Sequence, residues 1–262
     1  MGSGERARFD ICRRLSQARI MLPLGLYLMG DAPEAISTRH GNYRHWFEAL
    51  AERSEARLTV ADGRVGENIE LGEVAAVIIS GSPESLTDRQ PWMNDGFELV
   101  ESCRTRGRPV LGVCFGHQLL GAYAGGEVVR NPLGWEFGTR EIAVTDRSDP
   151  IFAGCEAHLE VNQAHQDILA RESLPSAVRI LAGNRRADVQ ALALGDWARG
   201  VQFHPEFTGE VTAAYLVHKR AVLEGDASEH GPERHPDRLA ARNCPQAARV
   251  FGNFIEHFAR RA

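Results

Sequence analysis

Two short apolar runs constrain the fold most. Ala75–Ile79 and Pro109–Val113 are each five residues long and nearly all aliphatic, and each stops at a turn, Ser80-Gly81-Ser82-Pro83 and Cys114-Phe115-Gly116. Five residues are too few for a helix, so each run reads as a strand buried on both faces. Asn94–Arg106 lies between them, with Phe97, Leu99, Val100 and Cys103 at helical spacing. Phe115–Ala124 reads as the next helix, closed by Gly125-Gly126. Upstream, Leu24–Met29 and Arg57–Ala61 read as strands around a helix over Arg39–Arg53, which carries Tyr43, Trp46, Phe47 and Leu50. Strands alternating with helices predict a mostly parallel sheet flanked by helices.

The second half is richer in strand signals: Arg140–Thr145, His158–Val161, Val178–Leu181, Val189–Leu194 and Gly200–Phe203. These predict an antiparallel extension of the sheet. Gly209–Glu224 reads as a helix, the polar stretch 225–243 as an exposed loop, and 245–260 as a C-terminal helix burying Val250, Phe251, Phe254, Ile255 and Phe258. The expected organisation is an Arg-rich N-terminal extension over 1–18 and one α/β domain over 19–262.

Composition removes several functions. Thirty basic against thirty-five acidic residues give a net charge of −5, the opposite of a nucleic-acid footprint. Lys219 is the sole lysine, and Arg220 follows it. A P-loop needs Lys followed by Ser or Thr, so none is present. Five cysteines (12, 103, 114, 155 and 244) with no C-x-x-C spacing argue against a disulfide framework or a cysteine zinc site. The expectation is a cytoplasmic chain with reduced thiols. Arg13-Arg14 before Ile20–Met29 has the outline of a signal peptide, but no A-x-A site follows and the segment reads as the first strand. No run reaches the ~18 apolar residues of a membrane span.

The sharpest chemical signal is Gly112-Val113-Cys114-Phe115-Gly116, a G-x-nucleophile-x-G pattern between a buried strand and a helix. The helix start favours thiolate and offers free N–H groups to an oxyanion. Taken alone, Cys114 also reads as a packed thiol, since free cysteine is among the most buried residues. A nucleophilic thiol needs a base, and the base needs an orienting group. Of ten histidines, His204 stands out, with Glu206 two residues on at a strand end. In extended geometry both side chains point the same way. Alone, this pair also reads as surface residues.

Together the segments resemble the class I glutamine amidotransferases. Leu111-Gly112-Val113-Cys114-Phe115-Gly116-His117-Gln118 resembles the nucleophile motif, Gly200-Val201-Gln202-Phe203-His204-Pro205-Glu206 the second motif, and Ile79-Ser80-Gly81-Ser82-Pro83-Glu84-Ser85 the oxyanion loop. Within the family the chain is similar to the glutaminase domain of GMP synthetase and to plant γ-glutamyl peptidases. The second likeness rests on Met29–Glu34 leading into His40-Gly41-Asn42-Tyr43, on Ser80-Gly81-Ser82, and on Ala164-His165-Gln166-Asp167.

The resemblance implies a flavodoxin-like sheet and acyl transfer through a γ-glutamyl thioester. It implies Cys114 as nucleophile, His204 as general base and then acid, and Glu206 as its orienting group. It implies an oxyanion hole from the N–H of Phe115 and the Gly81-Ser82 loop. Gln118 and the Ala164-His165-Gln166 loop would seat the substrate. No metal, nucleotide or organic cofactor is implied. Ser82 stands where the loop usually has a second glycine, so its backbone must suit serine. Gln166 stands where many members have glycine, so it reshapes the pocket. Three functions follow: a self-sufficient hydrolase of glutamine or γ-glutamyl amides and peptides, a glutaminase subunit feeding ammonia to a separate synthase, or an idle regulatory homologue.

Overall fold

The computed structural model describes residues 21–262; the expected extension over 1–18 lies outside them. Eleven strands occur among the described residues: β1 (Leu22–Leu28), β2 (Ala56–Asp62), β3 (Ala76–Ile79), β4 (Val110–Val113), β5 (Val128–Arg130), β6 (Glu136–Val144), β7 (His158–His165), β8 (Asp167–Leu169), β9 (Val178–Gly183), β10 (Ala191–Leu194) and β11 (Ala198–Val201). Nine make one sheet in the order β2-β1-β3-β4-β11-β10-β9-β6-β7, and β5 pairs with β8 separately. From β2 to β11 every pairing is parallel, and from β11 to β7 every pairing is antiparallel. The expected parallel half with an antiparallel extension is therefore what the chain forms.

β11 joins the two halves. It comes late in the sequence, yet lies parallel to β4 with Val201 opposite Val113, and it pairs antiparallel with β10. The nucleophile-like motif leaves β4 where the His204 motif leaves β11. Two segments far apart in the chain therefore emerge side by side at the carboxyl ends of parallel strands, where open α/β sheets place their ligands.

The helices are α1 (Glu34–His40), α2 (Tyr43–Arg53), α3 (Met93–Thr105), α4 (Phe115–Tyr123), α5 (Gly209–His218), α6 (Arg220–His230) and α7 (Pro245–His257). Alternate strand residues feed opposite layers. Leu24, Leu26, Ile78, Leu111 and Val113 pack with Phe47 of α2 and Val250, Phe251 and Phe254 of α7. Tyr27, Val77, Ile79 and Val110 pack with Val100 of α3 and Leu119 of α4. Each such aliphatic side chain contributes about 1.5–3 kcal/mol when fully buried.

Three expectations change. The helix expected over 39–53 is two helices parted at Gly41, where Asn42 and His45 form a reciprocal cap. The helix expected over 209–224 breaks at Lys219, and the 225–243 loop is helical as far as His230. Buried Asp226 accepts the Trp135 N–H at 2.9 Å, and buried Arg234 donates to the Leu133 carbonyl. Tertiary partners in the β5–β6 connection thus order a segment whose composition reads as solvated. The β5–β8 pair is too short to give a periodic signal.

Candidate active site

β4 ends at Val113 and α4 begins at Phe115, so Cys114 alone makes the turn. Its backbone sits at φ 52°, ψ −101°. Among the described residues only Glu55 shares a positive φ without being glycine. Such strain costs about 1–3 kcal/mol and persists only where neighbours over-determine it. Here the Cys114 N–H donates to Val201 O at 2.8 Å, and Cys114 O accepts from the Gln118 N–H at 3.0 Å. The two flanking glycines are obligatory for close approach: a Cβ on Gly112 would collide with Gly116 O, and one on Gly116 would collide with Ile79 O. The first N–H groups of α4 have no intrahelical acceptor and carry the positive end of its dipole.

His204 leaves β11 and is fixed by its N–H, which donates to Asn162 O at 2.9 Å. Its Nδ1 lies 2.7 Å from Glu206 Oε1, and both side chains are buried. The chain is already turning at Pro205, so a bend rather than an extended strand brings the two together. Phe207 stacks on the imidazole with centroids 4.0 Å apart. Gly81 abuts the ring edge: a Cβ there would lie 2.9 Å from Cε1. Burial alone would lower the His204 pKa, but the Glu206 carboxylate and the Cys114 thiol beside the ring outweigh it and raise it. His117 shows the other outcome. It is buried without a carboxylate, its Nε2 rests 3.2 Å from Val189 O, and burial pushes it down to about 3.

The remaining expected residues line the same cleft of about 270 Å³ with Cys114, Phe115 and His204. Ser82 does not have a positive φ, so serine is accommodated without strain. The loop before it is pinned by the Ser80 hydroxyl, which accepts from Met29 N–H at 2.9 Å and donates to Gly81 O at 2.8 Å. Gln118 spends its Nε2 on Asp167 O (2.9 Å) and Gln202 Oε1 (3.1 Å). His165 lines the cleft; its Nδ1 lies 3.1 Å from Asp167 O, while its Nε2 lies 3.2 Å from Glu136 Oε2 without a hydrogen bond. It holds the Ala164–Asp167 loop. Gln166 Oε1 accepts from Arg130 Nη1 at 2.6 Å.

Sequence reasoning passed over several neighbours. Gln202 donates to Cys114 Sγ at 3.6 Å, and its place inside the His204 motif was a usable signal. Asp167 is buried, receives the Ser85 hydroxyl on Oδ2, and leaves Oδ1 without a hydrogen-bond partner, 3.4 Å from Arg130 Nε. Nothing local in the sequence marks Arg130 or Lys219 as cleft residues. Among the described residues no cluster of three or more His, Cys, Asp or Glu could hold a metal, and no helix is long and apolar enough to cross a membrane.

Fold and site define the class. The class I glutamine amidotransferase family model matches residues 36–222, and the chain belongs to that family. A glutamine-hydrolyzing GMP synthase subunit of Saccharolobus solfataricus is 38% identical over 138 residues, 52% of this chain and 70% of that protein. Gamma-glutamyl peptidase 3 of Arabidopsis thaliana is 27% identical over 194 residues, 71% of this chain and 77% of that protein. A GMP synthase of Aeropyrum pernix is 37% identical over 136 residues, 52% of this chain but only 25% of that longer protein. The crystal structure of a glutamine amidotransferase from Thermotoga maritima has the same fold, with a TM-score of 0.69 at 19% identity over 91% of this chain and 98% of that one.

Proposed function

We propose that the protein hydrolyses the γ-amide bond of γ-glutamyl compounds through a thioester on Cys114. The observation that carries this is the strained Cys114 at the start of α4 beside an imidazole held by Glu206 at 2.7 Å. The Cys114 thiolate attacks the γ-carbonyl carbon. The carbonyl oxygen, now anionic, takes N–H donors from Phe115 and the Gly81-Ser82 loop. The C–N bond breaks as His204 gives its proton to the departing amine. Water then loses a proton to His204 and attacks the thioester, releasing glutamate and restoring the thiolate beside a protonated His204. Glu206 holds the ring and stabilises its charged form.

The glutamyl end is a zwitterion and needs one group of each sign. Asp167, whose Oδ1 has no hydrogen-bond partner, takes the α-ammonium, and Arg130, 3.4 Å from that oxygen, takes the α-carboxylate. Gln118 offers its remaining amide oxygen, and the Ala164-His165-Gln166 loop its backbone. Four free thiols among the described residues support a cytoplasmic setting.

A second reading, a glutaminase subunit delivering ammonia to a separate synthase, is favoured by the likeness to the GMP synthase subunit of Saccharolobus solfataricus. Turnover of the purified chain on glutamine and on a panel of γ-glutamyl dipeptides decides between them. Dipeptide turnover well above glutamine turnover supports the hydrolase. Glutamine turnover that appears only with a synthase present supports the second reading. No acyl-enzyme and no turnover on any of these would leave an idle homologue.

A further inference from the structure

The cleft has two cations, and only one of them, Arg130, stands among carboxylates. Arg130 is surrounded by Asp88 Oδ2 and Asp167 Oδ1, each at 3.4 Å, and by Gln166. Lys219 enters no ion pair among the described residues; its Nζ sits 5.5 Å above the Trp135 ring. The Trp135 backbone N–H donates to Asp226 Oδ1 at 2.9 Å, which anchors the main chain beneath that ring. An ammonium on an aromatic face with no carboxylate partner, lining a substrate cleft, is suited to an anionic group.

The position of Lys219 tells which part of a substrate would reach it. The group that protonates the leaving nitrogen must stand on the leaving side of the scissile bond. That group is His204, and the wall beside it runs from His204 to Phe207 at 4.0 Å and from Phe207 to Tyr215 at 5.1 Å. Lys219 follows one turn later, its N–H donating to Tyr215 O at 2.9 Å. The glutamyl wall is separate: Gln118, Ser85, Gln166 and Arg130 all bond to Asp167 or its loop. A cation on the leaving side meets nothing when the leaving group is ammonia.

The geometry points to Lys219, backed by Trp135, as the residue that binds the carboxylate of a departing amino acid. The preferred substrate is then a γ-glutamyl dipeptide with a free C-terminal carboxylate. This rests on the hydrolase reading above and adds the chemical class of the leaving group. The break between α5 and α6 falls at Lys219, which lines the cleft.

The test compares γ-glutamyl-alanine with its C-terminal amide, using the full chain and its Lys219→Met and Lys219→Arg variants. The wild type is expected to prefer the acid by about tenfold in kcat/KM, mainly through KM, as a hydrogen bond to a charged group warrants. Lys219→Met should bring the acid-to-amide ratio close to one, and Lys219→Arg should keep most of the preference. A ratio that is the same in wild type and Lys219→Met overturns the role of Lys219 while leaving the hydrolase reading intact. Turnover of glutamine with no turnover of either dipeptide overturns both.

Discussion

The two walls of the cleft solve different problems. The wall around Asp167 is charged, and its one cation is paired: Arg130 faces Asp88 and Asp167, and the Ser85 hydroxyl caps Asp167. The wall around His204 is aromatic, built from Phe207, Tyr215 and Trp135, with one uncancelled cation at its rim. A paired, cross-linked wall is rigid and suits an invariant group, which the proposed function makes the glutamyl zwitterion. An apolar wall raises the worth of the few charges near it, including the His204–Glu206 pair. Binding is therefore expected to depend on the first wall and proton transfer on the second.

Removing the centre common to both walls has the largest expected effect. Cys114→Ala should lower kcat by about 10⁶-fold, as for other nucleophile deletions, with far-ultraviolet circular dichroism unchanged. Measured turnover of that variant within tenfold of wild type would end the thioester mechanism. In the wild type, iodoacetamide should label Cys114 before the other described cysteines. Burial pushes Cys103 up to about 12, Cys244 up to about 11, and Cys155 up as well, which starves them of thiolate. Peptide mapping with Cys244 modified first would contradict this.

Glu206→Gln probes the aromatic wall alone. It should reduce kcat by about 10³–10⁴-fold with little change in KM. The pH profile gives the sign. His204 is held protonated by Glu206, so its proton is lost only as pH rises through a raised pKa. Without the carboxylate that proton leaves at lower pH, and the alkaline fall in kcat should move to lower pH. An unmoved alkaline limb would assign it to another group.

Asp167→Asn probes the charged wall and has the smallest effect of these. A partly screened charge on a bound ammonium is worth roughly tenfold, so KM should rise by about that factor while kcat stays within twofold. Should kcat fall instead and KM hold, Asp167 would belong with the proton-transfer residues, and the division between the walls would fail.

Much of this molecule is local and so was legible in the chain. The elbow occupies five consecutive residues, and Gly112 and Gly116 are there because backbone oxygens leave no room for a Cβ. The short aliphatic strands and the helices between them carry their periodicity in the residues themselves. His204 and Glu206 were legible as a pair, although the turn at Pro205, not strand geometry, brings them together.

What only the tertiary structure decided is whatever depends on which distant segments become neighbours. The parallel register of β11 on β4 sets the Cys114 and His204 motifs side by side. The brief β5–β8 pairing carries Arg130 to Asp167. Lys219, at the break between α5 and α6, lies over the ring of Trp135, which is 84 residues away in the chain. Sequence periodicity reports how each segment divides its faces between core and water. It carries no record of partners across the sheet, and in this cleft those partners determine which charges are paired and which are not.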